Sequence, residues 1–354
     1  MSWSVSAVPL PDGDRPVDVW VDAAGFLADE PLADAERLPG RYVVPGLVDA
    51  HAHPAVAGGA AGPVALGGPE ALSLLAEWAA SGVCLVRDAG SPGGSALHLD
   101  LSPGMPRLRA AGRFLAPAGQ YFPALLPEEV PEQRLTEPAL GELARSGSWV
   151  KVIADFPQVV DGMPAGSAEP TYSVDAVRAM VTAVHAAGGR IAAHVTTDLV
   201  PQLVQAGVDS IEHGTGMDES ALRMMARTQV AWTPTLCAVL GRPGSTPEAA
   251  RQRADYQDRV RELLPLAHRL GVPILAGTDT AGPIAREVAM LAEHGLGPTA
   301  ALEAATTTGY RFLGESFDRV GQPATLVTYQ DDPREDLAIL SAPVAIIIDG
   351  VRIR

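Results

Sequence analysis

Eight apolar, strand-like runs alternate with amphipathic stretches along most of this 354-residue chain, and no other feature constrains its fold so strongly. The amphipathic stretches have helical periodicity and cover residues 69–81, 174–187, 199–206, 219–228, 247–270 and 284–294. The apolar runs end near His51, Asp88, Ala111, Lys151, His194, His213, Thr235 and Asp279. Eight alternating units over about 270 residues predict a parallel (β/α)8 TIM barrel.

The two ends of the chain carry short alternating strands instead. Residues 17–22 alternate apolar and polar side chains, and 344–353 have the pattern of a hairpin with an Asp349-Gly350 turn. We therefore predict an α/β protein with a barrel over residues 43–317. Residues 1–42 plus 318–354 would form a small β-sandwich domain built from both termini. Three irregular segments, 54–68, 112–140 and 155–172, are predicted to be loops.

The composition excludes several classes of partner. The chain has 26 basic and 42 acidic residues, and its formal charge of −16 argues against nucleic acid and anionic membranes. Its first residues lack the pattern of a signal peptide, and no run of about 18 apolar residues is present to span a bilayer. Cys84 and Cys237 lie in apolar runs and are predicted to be buried free thiols. We expect a cytoplasmic protein with a small-molecule substrate, and a homo-oligomer stays open.

The first strand-like run, residues 43–53, ends in His51-Ala52-His53. Because residues two apart in a strand point to the same face, both imidazoles would converge where the strand stops. Such a pair suits a borderline metal such as zinc. Two surface histidines that follow a core strand would have the same sequence, so this motif alone leaves both interpretations open.

Lys151 is the only lysine among the 26 basic residues, and it lies in the apolar run 149–154. A buried cation is costly, and lysine, unlike arginine, can lose its proton. A neutral amine can add carbon dioxide to give a carbamate, which would place a carboxylate at the end of this side chain. The alternative interpretation is a lysine whose ammonium group reaches water.

Candidate metal ligands fall at the ends of five of the predicted strands. In a (β/α)8 barrel the C-terminal strand ends face one rim, where active sites lie. Any one of these residues alone would more often be a core histidine or a capping aspartate, but six in register predict a metal centre. The six are His51, His53, Lys151, His194, His213 and Asp279.

These residues and their surroundings resemble the amidohydrolase superfamily, in the branch with two divalent metals bridged by a carboxylated lysine. Within it the chain is most similar to imidazolonepropionase-like and prolidase-like dipeptidase members. The likeness covers nearly the whole chain and rests on VVPGLVDAHAH, VRDAG, WVKVIAD, AVHAAGGRIAAHVTT, AGVDSIEHGTGMD, TPTL and AGTDT. The family fold, a metal barrel with a small β-sandwich from both termini, agrees with the prediction from periodicity.

The resemblance implies two divalent metal ions, zinc first, although the donor set would also admit manganese, cobalt or iron. It implies that His51, His53 and Asp279 hold the more buried ion. His194 and His213 would hold the second ion, and carboxylated Lys151 and a hydroxide would bridge the two.

The implied reaction is hydrolysis of an amide, peptide or cyclic-amide C–N bond. Two cations lower the pKa of the bridging water, so that hydroxide exists near neutral pH. Asp279 would take the hydroxide proton and pass it to the leaving nitrogen. Asp88, Thr278 and Glu212 could orient the ligands, although capping of strands or helices is the simpler interpretation of each.

The third strand is followed by a departure from the family pattern. Many relatives have a Gly-Gly-His-Gly-like turn there, whereas this chain has Ala-Pro-Ala-Gly-Gln-Tyr at 116–121. A substrate-contacting histidine is therefore missing, and Gln120 or Tyr121 would take its place. Arg113 and Tyr172 are further candidates for contacting a substrate carboxylate or backbone. For each of the four, an ordinary loop residue is the alternative interpretation.

Other functions remain open at this stage. An ester, lactone or phosphotriester hydrolase would use the same site. A mononuclear deaminase is disfavoured because it has no need of Lys151, and because Thr197 stands where such relatives carry glutamate, three residues after the strand-5 histidine. A non-catalytic relative that serves as a binding or assembly subunit would be expected to lack ligands, and none is missing here.

Overall fold

The structure is a computed structural model that describes residues 1–59, 62–241, 247–317 and 319–354. Its strands are β1 (Trp3–Pro9), β2 (Val17–Val21), β3 (Leu27–Ala28), β4 (Glu36–Arg37), β5 (Tyr42–Val44), β6 (Leu47–Ala52), β7 (Val56–Gly59), β8 (Gly62–Ala65), β9 (Val83–Asp88), β10 (Arg107–Ala110), β11 (Phe114–Leu115), β12 (Trp149–Ile153), β13 (Asp155–Val160), β14 (Met163–Pro170), β15 (Arg190–Val195), β16 (Ser210–His213), β17 (Ala231–Thr233), β18 (Leu326–Tyr329), β19 (Ala345–Ile348) and β20 (Val351–Arg352). Its α-helices are α1 (Gly68–Ala80), α2 (Thr136–Ser146), α3 (Val174–Ala186), α4 (Val200–Ala206), α5 (Glu219–Thr228), α6 (Leu236–Gly241), α7 (Pro247–Leu270), α8 (Ile284–Leu291), α9 (Pro298–Ala304) and α10 (Thr307–Leu313). Among these residues, no helix combines the length and the apolar character that a bilayer span requires.

The strands of the two termini pair with one another. The described residues form one sheet in the order β20-β19-β18-β5-β1-β2-β3, with β4 beside β1. Strand β5 pairs parallel with β1 and antiparallel with β18, so the N-terminal and C-terminal segments meet there. Strands β19 and β20 form the predicted hairpin, with Ile348 opposite Val351 and Asp349-Gly350 as the turn. Both turn residues have positive φ, which favours this kind of tight connection.

The central strands are parallel and alternate with the helices. They form two sheets within the described residues, in the orders β10-β9-β6 and β11-β12-β15-β16-β17. Segment 274–276 links β17 to β6, because Leu275 N donates to Trp232 O and Ala50 N donates to Ala276 O. On the other side, the consecutive strands β10 and β11 pair with β9 and β12, respectively. No pairing joins β10 to β11 among the described residues, so the central strands form an open barrel whose carboxyl ends lie at one rim.

Small side chains leave room inside the barrel for two large ones. The interior cluster contains Ala50, Ala192 and Ala231, together with the fully buried Trp149. The guanidinium carbon of Arg87 lies 4.7 Å from the centre of the Trp149 ring, and Arg87 is itself fully buried. The barrel interior is therefore a packed core in which Arg87 is buried against an aromatic ring.

All three predicted loops contain some regular structure, which corrects the prediction for them. Segment 54–68 contains the antiparallel pair β7–β8, and 155–172 contains the pair β13–β14. Segment 112–140 contains β11, a short 3-10 helix (Glu132–Arg134) and the first turn of α2. Pattern reading missed the two hairpins because their strands pair mainly with each other and show no regular alternation of buried and exposed residues.

Candidate metal centre

The six predicted ligands line one cavity of about 550 Å³ at the carboxyl ends of the barrel strands. Five of them lie on or directly after strands β6, β12, β15 and β16, and Asp279 follows the extended segment 274–276 beside β17, so the barrel sets their positions. His51 lies on β6 and His53 directly follows it, and both reach the cavity, as expected for residues two apart in extended backbone. The six are His51, His53, Lys151, His194, His213 and Asp279.

The distances between these side chains suit shared metal ions. Asp279 Oδ1 lies 3.1 Å from His53 Nε2 and 3.7 Å from His51 Nε2. One donor atom from each of His51, His213 and Asp279 falls within 4.8 Å of the other two. The ring centres of His194 and His213 are 4.6 Å apart. The cluster thus brings five imidazole or carboxylate donors together, as zinc and similar divalent ions require.

Two buried polar atoms at the centre of the cluster lack hydrogen-bond partners among the described residues: His51 Nε2 and Lys151 Nζ. Lys151 is only 1% exposed, so water does not readily satisfy its amine. Burial lowers the pKa of Lys151 to about 8. Buried polar groups are rarely left unpaired, so both atoms fit a site whose partners are metal ions.

Hydrogen bonds on the far side of three rings orient them toward the cavity. His51 Nδ1 lies 2.5 Å from Glu212 Oε2, and His53 Nδ1 lies 2.7 Å from the Gly90 carbonyl oxygen. Because both partners are acceptors, each Nδ1 carries a proton and each Nε2 faces the cavity. Burial lowers the pKa of His51, so this ring is neutral and its Nε2 keeps its lone pair. His213 Nδ1 lies 2.7 Å from Thr235 Oγ1, which holds that ring in the same way. Such outer contacts are typical of histidines that bind metals.

Glu212 is in turn held by Arg87, a residue that sequence patterns did not single out. Arg87 Nη2 donates to Glu212 Oε1 at 2.6 Å, and Arg87 Nε donates to the Ala50 carbonyl at 2.6 Å. Burial would raise the pKa of Glu212, but Arg87, Lys151 and the hydrogen bond from Ser210 together outweigh burial and hold this pKa below its usual value. An ionised Glu212 therefore faces His51 Nδ1 at any pH near neutrality.

The backbone at the rim adopts an uncommon conformation at four non-glycine residues. His213, Thr235, Asp279 and Thr280 have φ between 48° and 64°. Left-handed backbone costs on the order of 1 kcal/mol for such residues and persists only where the surroundings determine it. Asp279 N donates to the His51 carbonyl at 2.7 Å, which ties two of the ligands together through the backbone.

One glycine allows the last strand segment to approach the first. A Cβ on Gly277 would lie 2.6 Å from His51 Cβ and 2.6 Å from Thr233 Cγ2. No larger residue fits there without moving the backbone, so the AGTD stretch needs glycine at this position to bring Asp279 beside His51.

Comparison with known proteins identifies the family. The model of the Amidohydrolase family matches residues 42–352, which is most of the chain. The chain belongs to the amidohydrolase family. An uncharacterised protein of Mycobacterium bovis is 34% identical to this amidohydrolase over 360 residues, which is 98% of this chain and 94% of the relative.

Solved structures with the same fold include several hydrolases. A prolidase complexed with N-methylphosphonate-L-proline has a TM-score of 0.81 at 23% identity and covers 100% of both chains. A Xaa-Pro dipeptidase with bound methionine has a TM-score of 0.81 at 22% identity over 99% of both chains. The ochratoxinase of A. niger has a TM-score of 0.79 at 18% identity and covers 100% of this chain and 95% of its own. These likenesses confirm the TIM-barrel fold, and family membership makes the chain a hydrolytic enzyme.

The charge states within the cluster follow from burial and from Asp279. Burial, reinforced by neighbouring cationic groups, lowers the pKa values of His194 and His213 to about 3. Burial also acts against the imidazolium of His53, but Asp279 and Asp88 outweigh it and raise this pKa to about 9. Burial alone would raise the pKa of Asp279, yet the hydrogen bond from His53 and the nearby histidines hold it well below its usual value. His194 and His213 are therefore neutral beside an ionised Asp279, which are the forms that bind metals, whereas His53 would have to release a proton when an ion binds.

Three buried acidic side chains of this amidohydrolase contact predicted ligands or their neighbours at the rim. Asp49 accepts from Thr278 Oγ1 at 2.6 Å, and burial raises its pKa to about 6. Asp88 Oδ1 lies 3.8 Å from His53 Nδ1, and burial raises the pKa of Asp88. Asp155, which pattern reading missed, accepts from the backbone and side chains of Thr196 and Thr197, with its Oδ1 3.9 Å from His194 Nε2.

The four candidates for substrate contact lie in different environments. Tyr121 lines the cavity and is 8% exposed. The structure does not place the other three among the described residues that line it. Arg113 Nε lies 3.0 Å from Glu142 Oε1 and its Nη1 pairs with Glu128, while the Tyr172 hydroxyl donates to the Val130 carbonyl at 2.8 Å. Gln120 is half-buried in the same loop as Tyr121.

Replacement of Glu212 by glutamine is expected to lower metal affinity by about ten- to a hundredfold, with the fold retained. The amide would accept from Arg87 with its oxygen and present N–H to His51 Nδ1. His51 would then have to carry its proton on Nε2, which removes the lone pair that faces the cavity. Zinc titration of the two proteins measures the effect.

The matched control is Ser210→Ala, which removes a hydroxyl contact to the same carboxylate but leaves the acceptor for His51 intact. We expect its zinc affinity to stay within about threefold of the parent protein, since Ser210 contacts Glu212 and Arg87 but none of the predicted ligands. Equal zinc affinity in Glu212→Gln and the parent protein would contradict the orienting role of Glu212.

Proposed function

We propose that this chain is a binuclear metal-dependent hydrolase that cleaves an amide, peptide or cyclic-amide C–N bond. The observation that carries the proposal is Lys151 Nζ, a buried amine without a hydrogen-bond partner among the described residues, in a cavity shared with four histidines and Asp279. A structural lysine would have a carboxylate or a carbonyl partner, whereas a carboxylated lysine would find its partners in two metal ions.

The residues would hold the metals as follows. His51 and His53 offer Nε2 atoms on either side of Asp279 Oδ1, which suits one divalent ion. His194 and His213, with adjacent rings, suit a second ion. Lys151, as the carbamate formed with carbon dioxide, would lie between them. The imidazole and carboxylate donors suit zinc first, and manganese, cobalt or iron next.

When bound, divalent cations polarise a substrate carbonyl and make a hydroxide nucleophile available near neutral pH. The chain's own residues then supply positioning and proton transfer. Asp279 is ionised at working pH, because its pKa lies well below the usual range, and its carboxylate reaches into the cavity. It can therefore accept a proton and deliver that proton to the leaving nitrogen. The solved relatives that are described as a prolidase and a Xaa-Pro dipeptidase support an amide or peptide bond as the one that is cleaved.

Metal content tests this proposal directly. We expect elemental analysis of purified protein to give about two divalent ions per chain, because the cavity offers two donor groups around one lysine. One ion per chain would favour a deaminase-like site. No metal in a protein that was purified without chelators would favour a binding or assembly subunit.

The deaminase alternative makes a separate prediction. Thr197 Oγ1 donates to Asp155 Oδ2 at 2.7 Å, so this residue already has a structural partner and no carboxylate of its own. We expect no ammonia release above background from cytosine, adenosine, guanine or their analogues with metal-loaded protein. Steady release from any of them, measured by a coupled ammonia assay, would reverse the ranking of the two functions.

An ester, lactone or phosphotriester substrate is the second candidate, since the same donors would serve it. The discriminating experiment is a screen of the metal-loaded protein against N-acyl amino acids, dipeptides and lactones, compared by kcat/KM. Faster turnover of lactones than of every amide would favour that alternative.

We also propose the division into a barrel over residues 43–317 and a β-sandwich domain from 1–42 plus 318–354, which the pairing of the terminal strands supports. A cytoplasmic location is part of the same proposal. Cys84 and Cys237 are both buried and unpaired, as expected for a protein kept in a reducing compartment.

A further inference from the structure

One wall of the cavity is aromatic. Phe114, Tyr121, Phe122 and Phe156 all line it. The ring centres of Tyr121 and Phe114 are 4.9 Å apart. The ring centre of Phe156 lies 5.1 Å from that of Tyr121 and 5.1 Å from that of Phe122. Edge-to-face packing of this kind fixes the rings and presents a continuous apolar surface. We call these four residues the aromatic wall.

The aromatic wall reaches the ligands themselves. The Phe114 ring centre lies 5.5 Å from that of His53, and the Phe156 ring centre lies 5.9 Å from that of His194. The wall therefore borders both halves of the metal centre. A group attached next to a bond that is cleaved there would lie against aromatic carbon and not against water.

Cationic groups for a substrate carboxylate are scarce in this cavity. Among the described residues that line it, Lys151 is the one basic side chain apart from the histidines, and it belongs to the metal centre. Arg113, in the adjacent loop, is already paired with Glu142 and Glu128. The chain as a whole carries a formal charge of −16, which opposes the approach of anions.

We infer that this site takes an uncharged amide with an aromatic or other large apolar group beside the scissile bond, and that it disfavours substrates with a free carboxylate. The inference rests on the proposed hydrolytic function and specifies its substrate class. A carboxylate desolvated against the aromatic wall would lack a counter-charge, which is costly, whereas an aryl group there gains both burial and ring contacts.

Three matched amides test the inference with metal-loaded wild-type protein. N-phenylacetylbenzylamine is neutral and aromatic on both sides, N-phenylacetylphenylglycine adds only a carboxylate, and N-acetylbenzylamine removes only the acyl ring. We expect kcat/KM for the first to exceed that for each of the others by at least about tenfold. Equal or faster hydrolysis of the carboxylated compound would overturn the inference and leave the proposed function intact.

Variants of Tyr121 test whether the aromatic wall causes the preference for an aromatic acyl group. Tyr121→Ala is expected to reduce the ratio of kcat/KM between the phenylacetyl and acetyl substrates to about threefold or less, whereas Tyr121→Phe keeps the ring and should keep the ratio.

Arg242 lies outside the described residues and is a basic residue of the chain near α6 in sequence. We expect Arg242→Ala to leave the neutral-over-anionic preference unchanged. Rapid hydrolysis of the carboxylated compound that depends on Arg242 would contradict the inference.

A binding measurement separates this inference from the proposed function. Calorimetry on metal-loaded protein would compare benzohydroxamic acid, 4-carboxybenzohydroxamic acid and acetohydroxamic acid, which carry the same metal-binding group. We expect the first to bind at least about tenfold more tightly than the other two. If that order holds but no amide is hydrolysed, the inferred preference for uncharged aromatic ligands is supported and the proposed amide hydrolysis is wrong. If amides are hydrolysed but the carboxylated hydroxamate binds best, the inferred ligand preference is wrong and the proposed amide hydrolysis is supported.

Discussion

Replacement of Asp279 by asparagine is expected to lower kcat by at least about a hundredfold, while the protein stays folded and keeps much of its metal. The carboxylate is ionised and lies 3.1 Å from His53 Nε2, where it can both bind a metal and accept a proton. The asparagine side chain retains one oxygen for coordination but cannot take up the proton. Asparagine also tolerates the left-handed backbone at this position, φ 50°, so the loop should not rearrange.

The matched control is Asp161→Asn. Asp161 has φ 52°, lies in the turn between β13 and β14 and is exposed, so the same chemical change occurs in the same backbone conformation away from the cavity. We expect its kcat to equal that of the parent protein. Metal content by elemental analysis and kcat under saturating substrate are measured for all three proteins. Near-normal turnover by a metal-loaded Asp279→Asn variant would show that another group moves the proton.

The fold was predictable where local signals agree with packing. Strand β16 ends at His213, α5 covers Glu219–Thr228 and α7 covers Pro247–Leu270, as the periodicity and the caps predict. The Asp218 side chain accepts from Ala221 N at the start of α5, which is the interaction that makes aspartate a helix start signal. The hairpins β7–β8 and β13–β14 carry no such signal, because their pairing is not accompanied by a buried face of regular period.

The cavity ligands could be predicted because each follows an apolar strand, but their supports could not. Arg87 bonds to Glu212, which is 125 positions away in the chain, and no local pattern encodes such a contact. A signal was nonetheless present. Arg87 lies within the apolar run Val83–Asp88, and the cost of burying a cation, which singled out Lys151, applies to it equally. Asp155 lies only four residues after Lys151 and is a similar omission.

Alteration of Lys151 is expected to have the second large effect. A bare ammonium between two divalent cations would be repelled by both. The repulsion energy is roughly 4 kcal/mol for each unit of positive charge at a distance of about 4 Å and an effective dielectric of about 20. The carbamate reverses the sign of the charge and supplies two oxygens. Burial lowers the pKa of this amine to about 8, so a substantial fraction is neutral and able to add carbon dioxide at mildly alkaline pH.

Lys151→Ala is therefore expected to lose the second metal and to reduce kcat by about a hundredfold or more. Acetate or propionate, as small carboxylates that fit the space left by the side chain, should restore part of the activity. Lys151→Arg is the matched control for size and charge, since arginine stays protonated and forms no carbamate. We expect it to be inactive and not restored by acetate. Equal activity of Lys151→Arg and the parent protein would contradict the bridging role.

Amine labelling tests the same residue without a substitution, because Lys151 is the only lysine in the chain. An amine reagent can then modify only the N-terminus and Lys151, and intact mass counts the additions. We expect one addition to the metal-loaded protein, at the N-terminus, because a carbamate is not nucleophilic. Chelated protein that is depleted of carbon dioxide should take two after prolonged exposure to the reagent, since the amine lines the cavity and is largely neutral above its pKa of about 8. Two additions to active, metal-replete enzyme would mean that Lys151 is a free amine and that another group bridges the metals.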